Sequence, residues 1–195
     1  MKTYYDRRAR EYDDWYLGTG RFADRDRPGW HEEVETLRKA LEALPPARTL
    51  DVACGTGFLT RHLPGEIVGL DQSESMLEEA RHQAPDGTYV HGDALALPFP
   101  DASFERLFTA HFYGHLEQGT REGFLREARR VAAEVMIVDS ALRPELEPEK
   151  RQERILNDGS RWEVYKRYFT PESLAFELGG SRTVFAGRWF VAVRS

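Results

Sequence analysis

The order of apolar and polar positions divides the chain into a helical N-terminal part and a longer part in which short apolar runs alternate with amphipathic stretches. Helices are predicted over residues 4–15, with aromatic residues on one side, and over 30–44, where Pro45 and Pro46 end the helix. The longer part predicts strands at 49–53, 66–70, 88–91, 104–110 and 134–139. Such alternation is typical of βα units that build a parallel sheet.

The regions between and after these strands predict the remaining elements. Helices are expected at 73–84, with Ser73 as the N-cap, and at 121–132. The charged stretch 143–154 is interpreted as a surface helix or a mobile lid. Near the C-terminus, a short helix follows Thr170, and two apolar runs predict a hairpin, at 182–185 and 188–193.

Composition and charge narrow the class of protein. Of 195 residues, 41% are apolar and 31% charged, as in an ordinary globular domain. The formal net charge of −6 argues against a nucleic-acid partner, because phosphate binding needs a basic surface. The apolar runs are too short to cross a bilayer and no apolar leader opens the sequence, so we expect no membrane association. The single cysteine, Cys54, allows no internal disulfide, which favours a cytoplasmic protein.

The most informative segment is residues 50–58, in which a buried strand enters a turn of small residues. Glycines in such a turn let the backbone approach a ligand closely, and we expect a helix to follow. Asp51 lies four residues before Gly55, where a carboxylate would repel a diphosphate but attract an ammonium group. Thr60 occupies the position of the third glycine of a dinucleotide motif. The segment therefore favours a ligand with a cationic amino-acid moiety; the alternative is a glycine turn with a structural acid.

Two further acids follow the next two strands. Asp71 ends the second strand and is placed to accept hydrogen bonds from both hydroxyls of a ribose, unless it caps the following helix instead. After the third strand, Gly92 leaves room for a flat ring, Asp93 is placed to accept an adenine amine, and the amide of Ala94 is placed to meet a ring nitrogen. The three segments together predict a site for a nucleoside that carries an amino acid.

These segments resemble the class I S-adenosylmethionine (SAM)-dependent methyltransferases, in particular the type-11 group that includes ubiquinone-biosynthesis C-methyltransferases. Residues 50–58 resemble the glycine-rich motif, with Ala53 where many members have glycine. The stretch 129–134 departs from the family, because it lacks the Pro-Gly-Gly that commonly precedes the fifth strand. The other resembling segments are 5–13, 68–77, 92–99, 104–116 and 168–174.

The resemblance implies an α/β fold, a Rossmann-like three-layer sandwich whose seven-stranded sheet is mostly parallel with an antiparallel last strand. It implies one domain, 1–195, in which N-terminal helices (1–44) cover the cofactor site of a Rossmann-like core (45–195). SAM is the implied cofactor and S-adenosylhomocysteine (SAH) its product. The residues expected to contact the cofactor are Tyr5, Tyr12, Asp51, Ala53, Cys54, Gly55, Thr56, Gly57, Asp71, Gln72, Met76, Gly92, Asp93, Ala94 and Ala110.

The candidate catalytic residues follow the fourth strand, beside the expected methyl group. We hypothesise that His111 or His115 is a general base or orients the substrate, and that Tyr113 lines the pocket; the alternative is that both histidines are structural. The chemistry requires no metal, and no group of ligands has convincing spacing, so we expect none. The aromatic region 162–169 contributes either to an acceptor pocket or to the core.

The sequence favours methyl transfer to a small-molecule acceptor. The alternatives are a protein or RNA methyltransferase, an NAD-dependent oxidoreductase, which Asp51 and Thr60 disfavour, and a non-catalytic SAM-binding partner subunit. The acceptor atom and the oligomeric state, monomer or homodimer, are left open.

Overall fold

Parallel strands dominate the centre of the structure, a computed structural model that describes residues 2–195. The strands in chain order are β1 (Thr49–Val52), β2 (Ile67–Asp71), β3 (Thr88–His91), β4 (Phe104–Ala110), β5 (Ala132–Ser140), β6 (Glu149–Ile155), β7 (Arg161–Arg167), β8 (Arg182–Ala186) and β9 (Phe190–Arg194). The α-helices are α1 (Lys2–Arg8), α2 (Asp14–Leu17), α3 (Trp30–Glu42), α4 (Glu74–Gln83), α5 (Gln118–Val131) and α6 (Pro171–Glu177).

Seven of these strands form one sheet, in the order β3-β2-β1-β4-β5-β9-β8. The strands from β3 to β5 pair in parallel, whereas β9 is antiparallel to both β5 and β8. The predicted sheet, with its antiparallel last strand and C-terminal hairpin, is confirmed. Ser73 is the N-cap of α4, since its side chain accepts the amide of Met76 at 3.2 Å.

The two faces of the sheet are covered by different helices. Leu50 and Val52 of β1 belong to a core cluster that includes Phe124 of α5 and Leu174 of α6. On the other face, α3 contributes Leu37 and Leu41 to a cluster with residues of β4, β5 and β9. Because side chains alternate along a strand, Asp51 faces the side that α3 covers. No helix within residues 2–195 is both long and apolar enough to cross a membrane.

The segment after the glycine loop contains no α-helix, so that expectation was wrong. It forms only a 3-10 turn, Thr60–His62. Residues 53–66 connect the end of β1 to the start of β2. Pro64 and Gly65 lie near the end of this short connection. The apolar side chains of Phe58 and Leu59 instead pack in the cluster that α3 completes. Helix α3 thus covers the face that a helix after the loop would have covered.

The interpretation of the charged stretch 143–154 as a surface helix was also wrong, whereas the alternative of a mobile lid stays a prediction. Residues 149–155 form β6, which pairs with β7 as an antiparallel hairpin separate from the main sheet. Pro144 and Pro148 disfavour a helix there. The hairpin loop contains Asp158-Gly159, with Gly159 at φ +82°, a turn signal that our sequence reasoning missed.

The predicted helix 4–15 is interrupted. It consists of α1, a 3-10 turn at Ala9–Glu11, and the single turn of α2. The interruption lets Tyr4 pack against Trp162 of the hairpin, at 5.8 Å between ring centroids, while Tyr16 stacks on Phe58 at 4.1 Å. Tertiary contacts in two directions therefore override the helical pattern.

Candidate functional site

A cavity opens at the carboxyl ends of the parallel strands, beneath residues 2–29, which precede α3 and which we call the N-terminal segment. This is the edge at which α/β sheets bind ligands, because loops there leave the sheet in different directions. We call it the main cavity. It is lined by Tyr5, Tyr12, Ala53, Gly55, Leu70, Asp71, Gln72, Met76, Gly92, Asp93, Ala94, Leu95, Ala110, His111, Phe112, His115 and Leu116. Most residues expected at the cofactor site therefore meet in one place.

A smaller cavity adjoins the main one and contains Asp51. The two share Tyr12, Ala53 and Ala110, and the smaller is also lined by Cys54 and Thr56. Gly57 lines neither: a Cβ placed on it would lie 3.2 Å from the Cα of Ala80, so its role is close packing against α4.

Asp51 has a buried carboxylate with one unused oxygen. Its Oδ2 accepts a hydrogen bond from Thr60 Oγ1 at 2.6 Å, whereas Oδ1 has no partner among the described residues. Burial raises the pKa of Asp51 to about 7, although the Thr60 hydroxyl lowers it. A buried acceptor without a partner is costly, so this oxygen fits a ligand that brings a cationic donor.

Asp71 holds the glycine loop as well as facing the main cavity. Its carboxylate accepts the amides of Gly55 at 3.0 Å and Ser73 at 2.9 Å. Burial raises the pKa of Asp71, while these backbone hydrogen bonds lower it. Each carboxylate oxygen has two lone pairs, so both keep capacity for hydroxyl donors.

The loop between β1 and the 3-10 turn has a left-handed backbone at three alternate positions. Ala53 and Gly55 both have φ +57°, and Gly57 has φ +80°. Glycine adopts this region without strain, but a residue with a Cβ does not. Ala53, which lines the cavity, is therefore a strained residue.

The turn after β3 supplies one carboxylate that is largely exposed. Asp93 Oδ1 accepts the amide of Leu95 at 2.9 Å, which fixes the turn. Gly92 and Ala94 line the main cavity on either side of Asp93. A Cβ on Gly92 would lie 2.8 Å from Cδ1 of Leu70, so the glycine is needed for the turn to pack on β2.

The N-terminal segment lies over both cavities and is tied to the core by side-chain hydrogen bonds. Asp6 accepts from Ser73 Oγ at 2.6 Å, and Asp13 accepts from Thr56 Oγ1 and Gln83 Nε2, both at 2.5 Å. This places Tyr5 and Tyr12 in the wall of the main cavity.

His111 is buried in an unusual conformation. Its φ is +56°, and neither ring nitrogen has a hydrogen-bond partner among the described residues. The ring packs edge-on against Trp15 and Phe190, and burial lowers the pKa of His111 to about 3. Asp139 Oδ1 lies 4.0 Å from Nδ1, too far for a hydrogen bond. Strain and unused polar atoms together at a cavity wall indicate a functional position.

His115 has a fixed tautomer. Its Nδ1 is 2.7 Å from the carbonyl oxygen of Tyr165, which can only accept, so Nδ1 carries the hydrogen. Burial lowers the pKa of His115 to about 3, so the ring is neutral at physiological pH and Nε2 keeps a lone pair.

Tyr113, expected in the pocket, does not line the main cavity. It is fully buried, and its hydroxyl donates to Glu177 at 2.6 Å, on the side of α6. The aromatic region 162–169 does not line the main cavity either. Trp162 packs on Tyr4, Phe169 lies in the core, and Lys166 forms a buried ion pair with Asp139.

Sequence reasoning missed several residues of the site. Thr60 was read only as a missing glycine, yet it binds Asp51. The apolar side chains of the main cavity were also not predicted: Leu70, Leu95, Phe112 and Leu116. Each is next in sequence to a predicted site residue, and that is the signal that could have found them: Asp71, Ala94, His111 and His115. No group of three or more His, Cys, Asp or Glu side chains in residues 2–195 is arranged to hold a metal ion.

Comparison with known proteins shows which proteins the chain resembles. The family model described as a methyltransferase domain matches residues 50–134. The demethylmenaquinone methyltransferase of Thermotoga maritima is 43% identical over 107 residues, which cover 52% of this chain and 44% of that protein. That of Thermus thermophilus is 39% identical over 113 residues, covering 53% and 49%. The chain thus spans about half the length of these curated relatives.

Among solved structures, the DhpI–SAH complex superposes with a TM-score of 0.72 at 26% identity, over 98% of this chain and 92% of DhpI. PH0226 of Pyrococcus horikoshii superposes with a TM-score of 0.64 at 20% identity, over 94% and 97%, and shows the fold alone. Residues 50–134 thus match a methyltransferase domain, and nearly the whole chain is similar in fold to a protein solved with SAH.

Proposed function

We propose that this protein transfers a methyl group from SAM to a small-molecule acceptor and releases SAH. DhpI, the solved structure described above, is a complex with SAH, and another DhpI structure is a SAM–HEP complex. The observation that carries the proposal is the unused, buried Oδ1 of Asp51 beside the loop that Asp71 holds. An ammonium group would satisfy that oxygen, and a diphosphate would be repelled by it.

The cofactor is assigned to the two adjoining cavities. Asp51 receives the ammonium of the amino-acid moiety, with Thr56 and the loop backbone beside it. Asp71 receives the ribose hydroxyls, and Asp93 with the Ala94 amide receives the adenine edge. The other residues predicted to contact the cofactor keep that role in the proposal, Gly57 by supporting the loop.

SAM supplies an activated methyl group on a sulfonium, so the protein has to align the acceptor and exclude water. Alignment of this kind contributes about 7–11 kcal/mol to the barrier reduction. The N-terminal segment excludes water by lying over the cavities. His111 and His115 face the cavity with neutral rings, and their depressed pKa values make them weak bases. We therefore assign both to orienting the acceptor.

Calorimetry with SAM, SAH and NAD tests the cofactor class. We expect SAM and SAH to bind and NAD not to bind. Asp51→Asn should weaken SAH binding, while Asp86→Asn, a change at an exposed acid on the β3 side, should leave it unchanged. Binding of NAD with no binding of SAH would overturn the proposal.

Turnover separates the enzyme from a non-catalytic SAM-binding subunit. Purified protein with labelled SAM and a pool of cell metabolites should form SAH together with a labelled small molecule. SAH binding without any transfer would favour the regulatory subunit. The net charge of −6 supports a small acceptor over RNA, and the lone cysteine supports a cytoplasmic location.

A further inference from the structure

A third cavity lies between the N-terminal segment and the β6–β7 hairpin, and arginines dominate its charge. We call it the arginine cavity; its lining is Tyr4, Arg8, Glu11, Asp14, Arg21, Phe22, Arg25, Glu153, Arg154, Ile155, Leu156 and Asn157. Tyr4 and Tyr5 are neighbours in α1, yet Tyr4 lines this cavity and Tyr5 lines the main one. Helix α1 therefore contributes to the walls of both cavities.

Two half-buried arginines of this cavity have no acidic partner. Within residues 2–195, no carboxylate oxygen lies within ion-pair distance of Arg8 or Arg154. Arg8 donates to the hydroxyl of Tyr4 at 3.0 Å, and its guanidinium lies 4.6 Å from the ring centroid of Tyr12. Burial lowers the pKa of Arg154, and the nearby charge of Arg8 lowers it further. Two like charges thus face one half-buried space, and neither has a carboxylate within ion-pair distance among the described residues.

The three acids that line the arginine cavity do not pair with Arg8 or Arg154. Glu11 accepts the amide of Asn157 at 2.8 Å, although its other oxygen is buried without a partner. Asp14 accepts from the hydroxyl of Thr19, and Glu153 pairs with Arg161 across the hairpin. Arg21 is held by the carbonyl oxygen of Leu156, so it too has no acid against it.

The positive charge extends toward the residues assigned to the acceptor. Tyr12, which Arg8 contacts, is itself a wall of the main cavity. The charge of Arg8 acts on His111, and that of Arg154 on His115. Lys166, a buried cation whose charge also acts on both histidines, is paired with Asp139, whereas Arg8 and Arg154 have no such pair. The proposed cofactor adds a sulfonium to this region.

We propose that the acceptor carries an acidic group, a carboxylate or a phosphoryl group, which Arg8 and Arg154 bind in the arginine cavity. The planar guanidinium fork matches both groups, since each presents two oxygens at the spacing of paired N–H donors. Such a group gives the two guanidiniums the acidic partner that they lack, and Arg8 lies against Tyr12, a wall of the main cavity. This inference rests on the proposed function, because it names the class of acceptor for the same reaction.

Direct binding of small anions tests the inference without knowledge of the acceptor. Inorganic phosphate and succinate are titrated, each at constant ionic strength, into the protein saturated with SAH. We expect saturable binding that Arg8→Gln and Arg154→Gln each weaken at least tenfold. The matched controls Arg7→Gln and Arg151→Gln change exposed neighbours that pair with Asp158 and Glu117, and they should bind as the wild type does. The tighter anion identifies the acidic group.

Absence of binding by both anions, or equal weakening in the control variants, would overturn the inference. If a glutamine variant does not fold, Arg8→Lys and Arg154→Lys replace it. Lysine keeps the positive charge but lacks the paired N–H donors of the guanidinium, so anion binding should weaken several-fold. SAH affinity is measured in every variant. Unchanged SAH binding with no anion effect removes only this inference, whereas loss of SAH binding by the wild type removes the proposed function.

A second measurement uses the reaction itself. Metabolites are separated by ion exchange into acidic, neutral and basic fractions and offered with labelled SAM. Label should enter the acidic fraction, and Arg154→Gln should raise KM at least tenfold with little change in kcat, while Arg151→Gln should do neither. Label confined to the neutral or basic fraction would contradict the inference.

Discussion

Asp51 is the residue whose ionisation should control cofactor binding. Its pKa is raised to about 7 by burial, so the carboxylate that attracts the ammonium forms only as pH rises through neutrality. We expect SAH affinity to increase from pH 6 to 7.5, as the carboxylate forms, and to decline only at the higher pH where the ammonium group of SAH loses its proton. Calorimetry across this range in several buffers should also detect release of a proton on binding near pH 6.

Asp51→Asn should abolish the increase of SAH affinity between pH 6 and 7.5. It should also weaken SAH binding about 10- to 100-fold at pH 7.5, as expected for loss of a hydrogen bond to a charged group. Asp86→Asn should retain both the wild-type affinity and its increase with pH. A wild-type affinity that is flat between pH 6 and 7.5 would show that Asp51 does not receive the ammonium.

The two cavity histidines should destabilise the fold in acid. Burial lowers the pKa of His111 and His115 to about 3, whereas a histidine in the unfolded chain binds a proton below about pH 6.5. The stability that their neutral state provides is present above pH 6.5 and is lost as pH falls toward 3, by up to about 1.4 kcal/mol per pH unit for each ring.

Urea denaturation at pH 7.5 and pH 5 tests this effect. The free energy of unfolding of His115→Gln should fall less between these pH values than that of the wild type, by about 1–2 kcal/mol. Asp51 titrates in both proteins, so the difference between them isolates the histidine. His82→Gln, at an exposed position of α4, should behave as the wild type; the same fall in all three proteins would refute the assignment.

At the scale of elements, the N-terminal segment should control how long the cofactor stays bound. Asp13 holds this segment to Thr56 in the glycine loop and to Gln83 at the end of α4. Asp13→Ala removes two hydrogen bonds of about 1 kcal/mol each, so SAH should dissociate up to about 30-fold faster. Stopped-flow tryptophan fluorescence, with Trp15 next to the cavity wall, measures this rate.

Asp14→Ala is the matched control, because Asp14 accepts only from Thr19 within the same segment. Its dissociation rate should equal that of the wild type. Equal acceleration by both variants would mean that the segment does not close over the cofactor through Asp13.

The elements that sequence reasoning placed correctly are those with a local signal. The strand 104–110 and the N-cap Ser73 were found because apolar runs and capping chemistry lie within a few residues. The break in the first helix and the missing helix after Gly57 were not found, because contacts of Tyr4 and Phe58 with distant residues decide them. That Asp51, Asp71 and Asp93 lie at the carboxyl edge of the sheet was predictable, because the strands are parallel. That Arg154 has no acidic partner was not predictable.

At the scale of the whole molecule, the β6–β7 hairpin is tied to the main sheet by one buried ion pair. Lys166 of β7 binds Asp139 of β5, which also accepts the amide of Gly114 at 2.7 Å. Lys166→Met leaves a buried carboxylate without its cation, and we expect a loss of about 3–5 kcal/mol in the free energy of unfolding.

Chemical denaturation measures this loss, with Lys39→Met as control. Lys39 is 67% exposed and pairs with Glu35, so its replacement should cost under about 1 kcal/mol. A similar small cost for Lys166→Met would mean that the hairpin does not depend on this pair.

The absence of a helix after the glycine loop has a consequence for how the protein can diversify. Because α3 covers that face of the sheet, it is a fixed part of the fold. The connection before α3 is residues 18–29, in which Gly18, Gly20 and Gly29 all have positive φ. The exchangeable piece is then residues 2–17, which carry Arg8 and both cavity tyrosines. Grafting this short arm from a related enzyme should transfer acceptor preference while the scaffold's unfolding behaviour stays the same.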